Sequence, residues 1–245
     1  MIPCALIIPA RLSSQRFPRK LLHPIKGKPL ILWTAEQLTS PQIEWPIFFA
    51  VEDDELAEVL EAAGHNAIKT GVHPSGTDRI AEANQTVNAE IVINIQADEP
   101  LTSVQHVNLL YRLMKDGADM ATLAHPFKRS EEFHNPNRVK VVRNTQGDAL
   151  YFSRAPVPFP RDGNHETLPT NALLHLGMYA YTANFLDAFT KLPQGALEKT
   201  EKLEQLRALE NGYRIQVGIT EEIGFGVDSP QDAAALEKLL QADSV

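Results

Sequence analysis

The run CALIIPA at positions 4–10 is apolar, and the segment after it carries Arg11, Arg16, Arg19 and Lys20. A short strand that empties into cations creates a local positive potential, which draws anions. In an open α/β sheet, ligands collect at the carboxyl ends of the strands, so a cationic loop at that point is placed to hold phosphates. Arg11 and Lys20 bracket Ser13 and Ser14, and such a loop can present both guanidinium forks and backbone N–H groups. The expected guest is a nucleotide; the alternative is a solvated surface cluster. The phosphate-loop pattern G-x-x-x-x-G-K-[ST] is absent.

A second apolar run, IVINIQADEP at 91–100, ends in Gln96, Asp98 and Glu99. Carboxylates at a strand terminus cap a following helix, fill a surface turn, or ligate Mg²⁺, which takes one or two carboxylates together with substrate phosphates. A third acid, Asp228, lies in GFGVDSP at 224–230. Ser229 already supplies a helix cap there and Pro230 the first helical position, so capping is a weaker explanation for Asp228. Two aspartates from distant strand ends beside a cationic loop make an arrangement for metal-assisted phosphoryl or nucleotidyl transfer.

The segment SGTDR at 75–79 joins a turn to a helix. It reads either as a capped start, with Asp78 near the positive end of the dipole, or as a set of free N–H groups that hold a base or phosphate. The eight histidines have no zinc-type spacing, and His175 on an apolar strand reads first as a satisfied core group. No G-x-S-x-G elbow, G-x-G-x-x-G fingerprint or cysteine nucleophile pattern occurs, which leaves hydrolase and dehydrogenase chemistry without support.

These residues need a scaffold. Apolar runs at 4–10, 47–52 and 90–96 alternate with helical patterns at 30–38, 55–63 and 104–114, which predicts βαβ units and a mostly parallel central sheet with helices on both faces. Gly64 is the expected C-cap of the second helix. From about residue 119 the texture changes to strands at 120–124, 139–142, 149–153 and 173–181. A smaller β-rich lobe within roughly 120–200 of a single domain spanning 1–245 is therefore expected. The breaker-rich stretch 155–169 reads as a loop at a site rim or subunit contact. A helix at 198–211, a strand at 214–220 and a terminal helix through 240 complete the reading.

Composition narrows the partners. With 245 residues, 43% of them hydrophobic, the chain can fill a large core. The formal charge of −8 and the lack of a basic, aromatic-interleaved run argue against nucleic acid. The single cysteine, Cys4, lies inside the first apolar run and fits a reducing cytoplasm. The apolar runs are too short to cross a membrane.

Taken together, IPARLSSQRFPRKLL, SGTDR, VINIQADEP, YFSRAPVPFPR, HLGMYAY, EKTEKLEQLRALENG and GFGVDSPQD resemble, in order and nearly end to end, the motifs of the 3-deoxy-manno-octulosonate (Kdo) cytidylyltransferase family. The resemblance implies a nucleotide-diphospho-sugar transferase fold, a lobe that pairs two copies into a homodimer, and the reaction CTP + Kdo → CMP-Kdo + pyrophosphate, which serves lipopolysaccharide synthesis. It implies that Arg11 and Lys20 neutralise the triphosphate, that Ala10, Ser14, Ser75, Gly76 and Arg79 seat the nucleotide, and that Asp98 and Asp228 hold Mg²⁺. Gln96 would touch both substrates, and Arg154, His175, Tyr179, Glu204 and Gln205 the sugar acid, with Arg154 facing its carboxylate. Two positions depart from the family pattern, Ala97 and Arg19, where glycine is common. Competing expectations are the same chemistry on the 8-amino-8-deoxy analogue of Kdo or on a sialic acid, and a non-catalytic nucleotide-binding regulator.

Overall fold

The computed structural model describes residues 1–14, 16–161 and 168–242. The chain divides into two compact units, Met1–Val107 with Gly224–Val245, and Asn108–Ile223. The lobe expected within roughly 120–200 falls inside the second unit.

The first unit is built on β1 (Ile2–Ala10), whose Cys4 to Ile8 core is fully buried. A strand covered on both faces has no solvent side on which to place polar residues, hence the unbroken apolar run. A 3₁₀ turn (Lys20–Leu22) and a tight hairpin of β2 (Pro24–Ile25) and β3 (Lys28–Pro29) lead into α1 (Leu30–Leu38). Next come β4 (Ile47–Val51), α2 (Asp54–Ala62), β5 (Asn66–Lys69), α3 (Gly76–Val87) and β6 (Ala89–Asn94), followed by α4 (Val104–Lys115), of which Asn108 onward belongs to the second unit. The strands run in the order β6-β1-β4-β5, and every pairing among them is parallel. The predicted doubly wound pattern is thus present, and the carboxyl ends of β1, β4 and β6 share one edge. Gly64 closes α2 at φ +84°, a left-handed conformation that glycine adopts at little cost. Strand β5 has no counterpart in the sequence reading: it is four residues long, and its end residues are exposed, so it carries no apolar run.

The second unit holds β7 (Met120–Pro126), α5 (Ser130–His134), β8 (Lys140–Arg143), β9 (Ala149–Ser153), β10 (Leu173–Thr182), α6 (Ala183–Lys191), α7 (Ala196–Glu201), α8 (Leu206–Glu210) and β11 (Ile215–Ile219). Here β11 pairs parallel with β7, and β7-β10-β8-β9 continue antiparallel. The single helix expected at 198–211 is two helices, α7 and α8. Lys202 takes a left-handed conformation, φ 54°, which ends α7 and turns the chain. A bidentate pair, Arg207 Nε and Nη2 to Glu198 at 2.8 and 2.7 Å, then fastens the two helices side by side. Helix α6 lies outside the predicted elements. Its Thr182 cap accepts from the Phe185 N–H at 3.2 Å, and Phe185, Leu186 and Phe189 are its buried side. The loop expected at 155–169 lies partly outside the described residues.

The first unit finishes with α9 (Pro230–Ala242). None of the helices among the described residues is long and apolar enough to cross a membrane. Burial pushes the Cys4 thiol up to about 12, so it is an inert core group.

Candidate active site

The loop after β1 is pinned from below. The Leu12 N–H donates to Asp53 Oδ2 at 2.8 Å, the Arg19 N–H donates back to Leu12 O at 3.2 Å, and Phe17 is buried against the His23 ring. Arg19 sits at φ 59° with its side chain on Glu55. Its left-handed backbone gives the physical reason that glycine suits this position, and the Glu55 contact offsets part of the strain of arginine. Ala97, the other departure, is not among the residues of positive φ, so its methyl group meets no backbone penalty. Its carbonyl accepts from Thr34 Oγ1 at 2.8 Å.

The loop closes on two carboxylates. Lys20, which is 14% exposed, donates from Nζ to Asp98 and to Asp228 Oδ1, the latter at 3.0 Å. Arg16 Nη2 reaches the same Asp228 Oδ1 at 2.9 Å. Asp228 is free to face Lys20 because another acid does the capping. Asp232 Oδ2 accepts from the Ser229 N–H at 2.8 Å and the Asp228 N–H at 3.1 Å, and the Ser229 hydroxyl accepts from the Asp232 N–H at 3.3 Å. That reciprocal pair is the capping box of α9. The Val227 N–H donates to Asp98 O at 2.9 Å and locks the two acidic segments together. Burial opposes the charge on both partners, yet the contacts outweigh it: Lys20 is held above the ordinary lysine range, and Asp228 below the usual carboxylate range.

Around this core lies a cleft of about 770 Å³, lined by Ala10, Arg11, Ser14, Arg16, Lys20, Ser75, Gly76, Arg79, Gln96, Ala97, Asp98 and Asp228 among others. Its size suits a nucleotide. Ser75 caps α3 by accepting from the Asp78 N–H at 3.1 Å, so its hydroxyl is already engaged while the first turn of α3 faces the cleft. A Cβ on Gly76 would come within 3.2 Å of the Pro9 ring, which is why glycine lets α3 approach the end of β1. Arg79 is 1% exposed, bonded to Glu52, to Thr70 Oγ1 at 2.9 Å and to Gly71 O at 3.4 Å. It lines the cleft with its donors turned to the protein, tying β4 to the chain after β5.

Glu99, which sequence reasoning passed over as a site residue, has a buried Oε2 with no partner in the structure. Burial, helped by Asp98 and Asp228, raises its pKa to about 8. The signal was present as a second acid in QADEP, but an acid beside Asp98 reads equally well as a surface turn.

The residues assigned to the sugar are, apart from Gln96, in the second unit. His175 and Tyr179 on β10 lie with ring centroids 5.5 Å apart, and the Glu204 charge acts on Tyr179. His175 Nε2 is 3.0 Å from Thr122 Oγ1, which also bonds Met178 O at 2.8 Å where the β10 register shifts between Leu176 and Tyr179. Burial lowers the His175 pKa to about 3 and raises that of Tyr179 well above its usual value. Gln205 is 4% exposed, and its Nε2 has no partner in the structure. Arg154 donates from Nε to Glu201 O at 2.7 Å, from Nη1 to Pro136 O at 3.1 Å and from Nη2 to Lys202 O at 3.4 Å. Three of its five N–H groups are thereby spent on carbonyls.

Known proteins share this chain's sequence and fold. Residues 5–219 match the family model described as cytidylyltransferase. The chain is 45% identical over 240 residues to the 3-deoxy-manno-octulosonate cytidylyltransferase of Anaeromyxobacter sp. (strain Fw109-5), covering 97% of each. It is 42% identical over 243 residues to the protein of that name from Bdellovibrio bacteriovorus, covering 98% of each. Among solved structures, a CMP:2-keto-3-deoxy-manno-octonic acid synthetase complexed with CTP is 36% identical and superposes with a TM-score of 0.90, covering 98% of this chain and 99% of the other. A cytidylyltransferase from Leptospira borgpetersenii, 14% identical, shares the fold, with a TM-score of 0.66 over 99% of this chain and 88% of that one.

Proposed function

The chain belongs to the 3-deoxy-manno-octulosonate cytidylyltransferase family, and from that premise we propose that it transfers CMP from CTP to the anomeric oxygen of Kdo, releasing pyrophosphate. The observation that carries the reading is the meeting of Asp98, Asp228 and Lys20 in a cleft walled by Arg11, Arg16 and the start of α3.

In this reading the triphosphate lies along Arg11, Ser14, Arg16 and Lys20. Guanidinium forks match phosphate oxygens in pairs, and Lys20 adds a compact point charge. Ala10, Ser75, Gly76 and Gln96 shape the wall that holds the nucleoside, while Arg79 keeps that wall rigid through Glu52 and Thr70. The reaction makes one P–O bond at the α-phosphorus and breaks the bond to pyrophosphate. Alignment and charge neutralisation therefore carry most of the catalysis.

Asp98 and Asp228 fit a magnesium ion, as the resemblance expects. Their oxygens converge on a single cationic atom, Lys20 Nζ, and both are hard oxygen donors. Among the described residues no group of three or more acidic, histidine or cysteine side chains forms a metal cluster. Two protein carboxylates would thus hold the ion, with phosphate oxygens and water filling the rest. Bound there, Mg²⁺ supplies Lewis-acid stabilisation of the charge on the phosphates.

For the sugar, Gln205 Nε2 is a buried donor in want of an acceptor, and a sugar hydroxyl or carboxylate would satisfy it. Arg154 keeps two N–H groups for a carboxylate. His175, neutral through its burial, can donate or accept a hydrogen bond but carries no charge to the site. The homodimer implied by the resemblance belongs to the same proposal; sedimentation showing only monomer at micromolar concentration removes it.

The deciding assay supplies CTP and Mg²⁺ with Kdo, its 8-amino analogue or a sialic acid, and follows pyrophosphate. Release that is fastest with Kdo supports the proposal. Faster release with another acid reassigns the sugar, and CTP binding without release from any acid means a silent nucleotide-binding protein.

A further inference from the structure

Lys140 opens β8 and has no exposed surface. Its ammonium donates to three backbone carbonyls, Asn135 O at 3.1 Å, Arg138 O at 2.8 Å and Arg154 O at 2.6 Å, one for each N–H. Burying an ammonium is expensive, and a well-packed apolar side chain is often as stable in such a place, so the charge needs a reason beyond stability. The neighbouring bonds supply one. The Arg154 N–H donates to Glu201 Oε2 at 3.0 Å, and the Ser153 hydroxyl donates to Glu201 Oε1 at 2.7 Å. Arg154 is thus gripped at its carbonyl by Lys140 and at its amide by Glu201. Its guanidinium bonds Pro136 O, in the same turn whose Asn135 and Arg138 carbonyls accept from Lys140.

We propose that Lys140 is a positioning residue for sugar-acid recognition: it fixes the 135–138 turn against the Arg154 backbone, so that the two uncommitted guanidinium N–H groups keep one direction. The proposal rests on the reading of Arg154 as partner of the sugar carboxylate. Around Lys140, Glu201 from α7 favours the charged form, and Arg154, beyond the end of β9, disfavours it. Burial is the largest influence, and the Lys140 pKa is drawn down to about 8. A neutral amine has only two N–H groups for three carbonyls, so the grip slackens as pH rises through this value.

The test measures KM for Kdo at saturating CTP, and KM for CTP at saturating Kdo, from pH 7 to 9, in the native enzyme and in Lys140→Met and Arg154→Ala. Expected is a Kdo KM that climbs several-fold with pH in the native enzyme. In Lys140→Met it should already be raised about tenfold at pH 7 and no longer follow pH, with KM for CTP nearly unchanged. Arg154→Ala should raise the Kdo KM at least as much. If Arg154→Ala raises it and a folded Lys140→Met does not, the positioning role is overturned while the role of Arg154 stands. If Arg154→Ala leaves it unchanged, the sugar reading of Arg154 falls and takes the inference with it. Equal rises in both KM values mean a merely structural lysine and also overturn it. Should Lys140→Met fail to fold, Lys140→Gln decides, since its amide keeps two N–H groups for the three carbonyls: a folded glutamine variant whose Kdo KM stays at the native value refutes the proposal.

Discussion

Lys20 and Asp228 are 208 positions apart in the chain, and Lys20 Nζ lies 3.0 Å from Asp228 Oδ1 while also bonding Asp98. The ammonium occupies the space between two carboxylates that the proposed reaction gives to a divalent cation. Asp98→Asn, which keeps the shape and removes one charge, should lower turnover by about a hundredfold or more at saturating Mg²⁺. Pyrophosphate release from CTP and Kdo measures it; turnover within a few-fold of native would end the assignment of Asp98.

The same contacts set a pH window. Asp228 titrates lower in the folded chain than when unfolded, so its stabilisation is present above about pH 4 and is lost as pH falls through its lowered value. Lys20 titrates higher in the folded chain, so its share is present below its ordinary value and is lost only in strong alkali. Urea unfolding of native protein and Asp228→Asn should show a constant stability gap from pH 5 to 9 that narrows below pH 4. A gap that grows on acidification contradicts this sign.

Arg79 is buried and Glu52 is its charged partner. Arg79→Met leaves a carboxylate without its cation and two further acceptors without a donor, at a cost of about 3 kcal/mol. Chemical denaturation reads the loss directly. A variant as stable as the native chain would assign Arg79 to the ligand rather than to the wall.

Arg19 at φ 59° allows a clean comparison. Arg19→Ala and Arg19→Gly lose the same contact with Glu55, and the strain of alanine in a left-handed backbone outweighs the extra chain entropy that glycine gives up on folding. The glycine variant should melt about 2–4 °C above the alanine variant. Equal melting temperatures would mean that the loop relaxes out of the left-handed region.

His175 should stay neutral over the whole working range, because burial holds its pKa at about 3. Its ring resonances in a nitrogen-resolved NMR titration should not move between pH 5 and 8. A midpoint inside that range would place the ring in contact with solvent or with a charge.

The local patterns were legible wherever one residue or one short run decides the conformation. The apolar run ending at Ala10 could only be a buried strand, Gly64 a left-handed cap, and Ser229 with Pro230 a helix start. The break at Lys202 was not legible, since EKTEKLEQLRALENG is a helical pattern throughout. What splits it is a left-handed lysine and the packing of Glu198 on Arg207, which exists only once the two helices lie side by side. Similarly, the arginines at 79 and 154 announce charge, but not whether their donors face a ligand or the chain's own carbonyls.

The parallel α/β scaffold of the first unit, the cationic loop and the acids opposite it follow from the order of residues alone, because strand periodicity and charge are properties of neighbouring residues. The folded chain adds that Lys20 bridges Asp98 and Asp228, that Arg79 braces the wall, and that Lys140 grips Arg154. Those are contacts between distant segments, and their energies depend on distance and burial, which no local pattern encodes.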